Sequence, residues 1–174
     1  MPEYRKTHTA GNYLILFLFL LLALPCQPQL SAADNNTEKD ISVWMDAFSG
    51  YAIGGYDPVS YFTRREAVPG LEEYQYDFRD VYWKFENVGN LEAFKRHPYI
   101  YRPQFSGYDP FALAKNRTIQ GIPTLWVIHK NKLYFFHNII HRRLWLDQED
   151  EIIEKATAAW PKLSRKLLRR IELD

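Results

Sequence analysis

The chain has 174 residues, with 22 Lys+Arg against 21 Asp+Glu and a single cysteine. So even a charge balance lacks the basic excess that phosphate neutralisation requires, which argues against nucleic acid as a partner. One cysteine supplies neither an internal disulfide nor a multi-thiolate metal or iron–sulfur centre.

The N-terminal stretch reads as an address. Arg5, Lys6 and His8 precede an uncharged apolar run from Tyr13 to Leu24. A helix of that length rises about 18 Å, well short of the roughly 30 Å of a bilayer core, so it suits a signal peptide better than a membrane span. A retained anchor is the competing reading. Pro25 and Pro28 interrupt the run, and Ser31-Ala32-Ala33 offers small residues for cleavage after Ala33. Cys26 follows the apolar run as a lipidated cysteine would, but Pro25 stands where a small residue is needed, which argues against a lipoprotein. The expected organisation is a signal over 1–33, a polar lead-in over 34–40, a domain over 41–163 and a basic helical extension over 164–174. Cleavage at Ala33 leaves a thiol-free mature chain in the periplasm or outside the cell.

Gly54-Gly55-Tyr56-Asp57-Pro58 is a turn signal, followed by a short apolar stretch to Phe62. Tyr74–Phe78 and Val81–Phe85 alternate apolar and polar residues around Arg79-Asp80, which predicts a hairpin. Asn87 or Asn90 can cap a short helix that ends before Pro98. A second hairpin is predicted from Thr124–His129 and Lys132–His137 around Lys130-Asn131, with 129 paired to 132 and 124 to 137. Asp147 is the expected N-cap of a helix carrying Ile152, Ile153, Ala156 and Trp160, which Pro161 punctuates. Beyond it, Leu163, Leu167 and Ile171 share one face. Lys162, Arg165, Lys166, Arg169 and Arg170 form a basic face that can meet an anionic membrane or an envelope partner. The fold class expected is α+β, a small single domain of hairpins, short helices and a C-terminal helical segment. Gly-Tyr-Asp-Pro occurs at 55–58 and at 107–110, read here as a reused turn and cap, not a solenoid repeat.

Two readings stand open for Asp109: an N-cap with proline at the first helical position, or a ligand. His129 and His137 fall on opposite faces of the second hairpin, whereas His137 and His141 can converge if residues 138–140 bend. Imidazoles in that pairing suit copper, nickel or zinc. Tyr108, Asp109 and Tyr134 are the expected walls of a small-ligand cleft beside His137 and His141. We find no phosphate loop, nucleophile elbow or paired acids, so the domain is expected to be non-enzymatic. The alternative is an envelope interaction protein that uses aromatic surface and the basic helix.

Taken in order, Tyr56-Asp57-Pro58-Val59-Ser60-Tyr61-Phe62, Tyr82-Trp83-Lys84-Phe85, Asn90-Leu91, Tyr101–Tyr108, Lys132-Leu133-Tyr134 and Ala159-Trp160-Pro161-Lys162-Leu163 resemble the YHS domain family, in its exported bacterial branch. The resemblance spans Gly55 to Leu163 and implies a small periplasmic α+β domain, with metal handling the role usually suggested. That branch typically carries cysteine after Gly-Gly-Tyr, whereas this chain reads Ser106-Gly107-Tyr108-Asp109. Thiol chemistry implied by the resemblance is therefore not expected here.

Overall fold

The computed structural model describes residues 49–171, and the side chains up to Leu167. The expected signal, Cys26, Ala33 and the 34–40 lead-in lie outside the described residues, as do the side chains of Arg169 and Arg170. All described residues belong to one compact unit.

Over the described residues the domain is α+β, built from two antiparallel two-stranded sheets and six α-helices. A three-residue 3-10 turn, Ile53–Gly55, leads into α1 (Ser60–Thr63). Then come β1 (Leu71–Asp77), β2 (Tyr82–Phe85), α2 (Val88–Arg96) and α3 (Pro98–Tyr101). A second 3-10 turn, Gln104–Gly107, precedes α4 (Pro110–Ala114), β3 (Ile122–His129), β4 (Lys132–Phe136), α5 (Ile139–Leu146) and α6 (Glu149–Ile171).

Both hairpins turn through two left-handed residues, Arg79-Asp80 and Lys130-Asn131. This is the mirror-image turn whose twist matches the flanking strands. His129 pairs with Lys132, as expected, but the pairing of 124 with 137 does not form. The register slips between Ile122, opposite Phe136, and Trp126, opposite Phe135. Pro123 lies within the slip, and a proline has no N–H to give the ladder.

Alternation gives each hairpin two different faces. Trp83 and Phe85 face Phe94 of α2, with ring centres 4.8 and 5.2 Å away. Tyr134 and Phe136 face Trp145 of α5 at 5.5 and 5.3 Å. The other face of the second hairpin packs on α1: Tyr61 lies 5.3 Å from Trp126 and 5.4 Å from Phe135, and its hydroxyl donates to the Pro123 carbonyl. On the far side, Leu113 of α4 is buried with Ala156 and Leu163 of α6. The layers therefore stack as first hairpin, α1, second hairpin, α4 and α6.

Three further expectations are corrected. Asp147 is not the N-cap of the long helix; it closes α5, and α6 begins at Glu149, with Glu149, Asp150 and Glu151 in its first turn. Pro161 does not end the helix, which runs unbroken to Ile171. An interior proline removes one backbone bond and costs about 3 kcal/mol in isolation. Burial of Leu163 and Ser164 just beyond it opposes that loss. Finally, the recurrence of Gly-Tyr-Asp-Pro extends well beyond a turn and cap, because each copy opens the same succession of 3-10 turn, short helix, hairpin and capped helix.

Candidate functional site

Asp109 is fully buried, although a carboxylate is costly to bury without partners. Its Oδ1 accepts from the backbone N–H groups of Phe111 (2.8 Å) and Ala112 (3.2 Å), so it caps α4, with Pro110 at the first helical position. Its Oδ2 accepts from the His137 backbone N–H at 2.8 Å and from His141 Nδ1 at 2.7 Å. Asp109 is thus the N-cap of the first reading, and it does more than cap: one oxygen caps a helix, and the other clasps the end of β4 to α5.

Asn138 makes the convergence of the two histidines possible. It is the N-cap of α5, in extended conformation, and its side chain accepts the His141 N–H at 2.8 Å. His137 therefore precedes the helix instead of sharing a face of it, and the two rings lie 6.3 Å apart. The His141 ring packs against Phe111 at 4.8 Å. His137 is exposed, with Nδ1 at 3.3 Å from the Gln120 carbonyl.

Carboxylate and carbonyl oxygens only accept, so these two bonds require a proton on Nδ1 of each ring. In the neutral Nδ1–H tautomer each imidazole leaves its Nε2 lone pair available. That is the arrangement in which a metal-binding histidine is usually held, its other nitrogen donating to a carboxylate or a backbone carbonyl.

A cavity of about 590 Å³ adjoins the site. It is lined by Tyr108, the 118–123 segment, His137 and Leu167. Tyr108 and His137 thus share a wall of it. Tyr134 does not: it points to the opposite face of β4 and lines a separate cavity of about 280 Å³ with Arg102, Lys132 and Trp160. Strand alternation separates it from His137, three residues on. Asp109 and His141 do not line the larger cavity either: of the two histidines only His137 reaches it, and Asp109 holds His137 by its backbone N–H. Burial, with a smaller contribution from Asp150, raises the Tyr134 phenol above its ordinary value.

His129 lies elsewhere, with Nδ1 at 3.0 Å from Glu149 and its ring edge-on to Trp145. Among the described residues, no group of three or more His, Cys, Asp or Glu side chains is placed to hold a metal ion. Also among them, no helix is long and apolar enough to cross a membrane.

Sequence reasoning missed Gln120, Asn138 and Phe111, which position the two rings. The signal for Asn138 was present, since Asn87 and Asn138 each follow the second strand of a hairpin by two residues. No family model, curated protein or solved structure matches the chain.

Proposed function

We propose that this is an exported, non-enzymatic YHS-like domain that binds a transition-metal ion, copper, nickel or zinc, through Nε2 of His137 and His141. The observation that carries the reading is the fixing of both Nδ1 atoms, by Asp109 Oδ2 at 2.7 Å and by the Gln120 carbonyl at 3.3 Å. Two imidazoles on one ion, with bonds of about 2.0–2.1 Å, set their ring centres roughly 5–6.5 Å apart. The observed 6.3 Å lies at the wide end of that range, where the two imidazoles stand nearly opposite each other on the ion, so a tetrahedral ion would draw the rings together by about 1 Å.

Two protein ligands leave coordination positions for water or for a small donor molecule in the cavity that His137 lines. Export rests on the basic start, the apolar run and the small residues before Asp34. Titration with copper(II), nickel(II) and zinc(II), followed by native mass spectrometry, tests the reading. One ion should bind per chain, and His137→Ala should abolish it; no stoichiometric binding of any of the three overturns it.

A second reading, contact with an envelope partner or an anionic membrane, draws on Lys162, Arg165 and Lys166, all exposed along α6. Deleting the helix would expose the core at Leu163, so charge reversal at these three positions is the appropriate test. Unchanged sedimentation with anionic vesicles and unchanged partner recovery would remove this reading.

A further inference from the structure

The two copies of Gly-Tyr-Asp-Pro stand 52 residues apart, and the geometry around them repeats contact by contact. Each is entered through three successive left-handed residues: Ile53, Gly54 and Gly55 at φ 47, 65 and 76°, and Phe105, Ser106 and Gly107 at φ 50, 53 and 86°. Residues with side chains seldom adopt that conformation even singly. Gly70 N–H donates to the Gly55 carbonyl and Gly121 N–H to the Gly107 carbonyl, both at 2.9 Å. A Cβ on either glycine would fall 2.4 Å from the Cβ of Lys84 or of Phe135, which are themselves 51 residues apart. The strand register breaks between Leu71 and Gln75 in one hairpin and between Ile122 and Trp126 in the other.

The aspartates correspond most closely. Asp57 Oδ1 accepts from Val59 and Ser60 N–H, as Asp109 Oδ1 does from Phe111 and Ala112. Asp57 Oδ2 accepts from Glu86 N–H at 2.8 Å and Asn90 Nδ2 at 2.6 Å. Glu86 thus stands where His137 stands, and Asn90 where His141 stands. Asn87 and Asn138 cap the two following helices in the same way.

We infer that the domain is a tandem duplication of a unit of about 51 residues, that the aspartate clasp is structural in both halves, and that only the second half made it a ligand site. The word ligand rests on the metal reading above; the equivalence of the halves rests on geometry alone. Asn90 shows that an amide closes the clasp as well as an imidazole does, so a histidine at 141 supplies something the fold does not require. Glu86 has its carboxylate paired with Arg64, whereas the His137 ring faces the cavity. The first half holds the same cradle with different occupants, Val59 standing where Phe111 packs on the His141 ring. Histidines at 86 and 90 together then create a second site for copper, nickel or zinc.

The test exchanges the occupants in the full chain and measures thermal midpoint and metal stoichiometry. His141→Asn and Asn90→His should each melt within about 2 °C of the parent. His141→Ala and Asn90→Ala, which leave a buried carboxylate short of a donor, should each lose about 5 °C or more. The parent should bind one zinc(II) or copper(II), His141→Asn none, and the Glu86→His/Asn90→His double variant two. If either exchange is as destabilising as its alanine counterpart, the equivalence fails, whatever the metal result. If the parent binds no metal while both exchanges are tolerated, the metal reading falls and the duplication stands. A parent that binds one ion beside a double variant that also binds one overturns the shared cradle.

Discussion

Asp109 and His141, 32 residues apart in sequence, are joined by a 2.7 Å hydrogen bond between Oδ2 and Nδ1, and the same carboxylate caps α4 through its other oxygen. One buried side chain therefore ties α4 to the end of the second hairpin and to α5. Replacing it with alanine strands four donors at once, two of them helix-end N–H groups. Asp109→Ala should lower unfolding free energy by about 2–4 kcal/mol in urea titration. A loss below 0.5 kcal/mol would show that the clasp is dispensable.

Gly121 is needed for lack of a side chain. A Cβ there would lie 2.4 Å from Phe135 Cβ and 2.8 Å from that residue's backbone carbon. Neither atom belongs to a flexible side-chain end. Gly121→Ala should destabilise by about 3 kcal/mol or more, and Gly70→Ala by a similar amount against Lys84. Unchanged denaturation midpoints for both would contradict the close packing of these segments on their strands.

The two asparagine caps offer a milder comparison. Asn87 accepts the Asn90 N–H at 2.9 Å and Asn138 the His141 N–H at 2.8 Å. Alanine at either should cost about 1 kcal/mol. For Asn138 a second readout is expected: with the start of α5 loosened, zinc affinity should fall as well, although the residue touches no ion. Calorimetric titration of Asn138→Ala beside Asn87→Ala would reveal that difference.

At alkaline pH the buried phenols of Tyr61 and Tyr134 should ionise late. Burial raises both, Tyr61 most strongly, with Tyr56 and Asp57 adding to it, and Asp150 adding to Tyr134. Both phenols are neutral in either state below the ordinary value of 10, so their contribution to stability is complete there. Above pH 10 the unfolded chain loses protons that the folded chain keeps, and stability should fall as pH rises toward the folded values. Absorbance at 295 nm should show these two tyrosines ionising only together with loss of near-ultraviolet circular dichroism. Ionisation of every tyrosine near pH 10 in a folded protein would be the contrary result.

Much of the local structure was readable because its causes are local. The Lys130-Asn131 turn fixes the pairing of 129 with 132 from its own geometry. Proline after Asp109 marks a helix start, and the residue before Pro98 marks a helix end. Two of the misreadings lie where a distant contact decides. The register slip at Ile122–Trp126 is set jointly by Pro123 and the packing of Gly121 against Phe135. Continuation of α6 through Pro161 depends on burial of Leu163 against Leu113, fifty positions back. Tyr134 was assigned to the wrong side of β4, although alternation from His137 was enough to place it. Asp109 was expected beside His137 and His141, but the clasp itself was not readable, because no spacing rule links position 109 to 141. Its copy at Asp57 and Asn90 was available by aligning the two halves, and two asparagines there instead of asparagine and histidine concealed it.

The central claim is that Asp109 and the Gln120 carbonyl hold both imidazoles with Nε2 free for a metal ion. Nitrogen-15 correlation spectra of the histidine side chains, recorded before and after one equivalent of zinc(II), test it directly. The account predicts the Nδ1–H tautomer for His137 and His141 in the metal-free protein. It also predicts a shift of both Nε2 resonances on zinc addition, with His97 and His129 unmoved. An Nε2–H tautomer at either position, or Nε2 signals that zinc leaves in place, would contradict it.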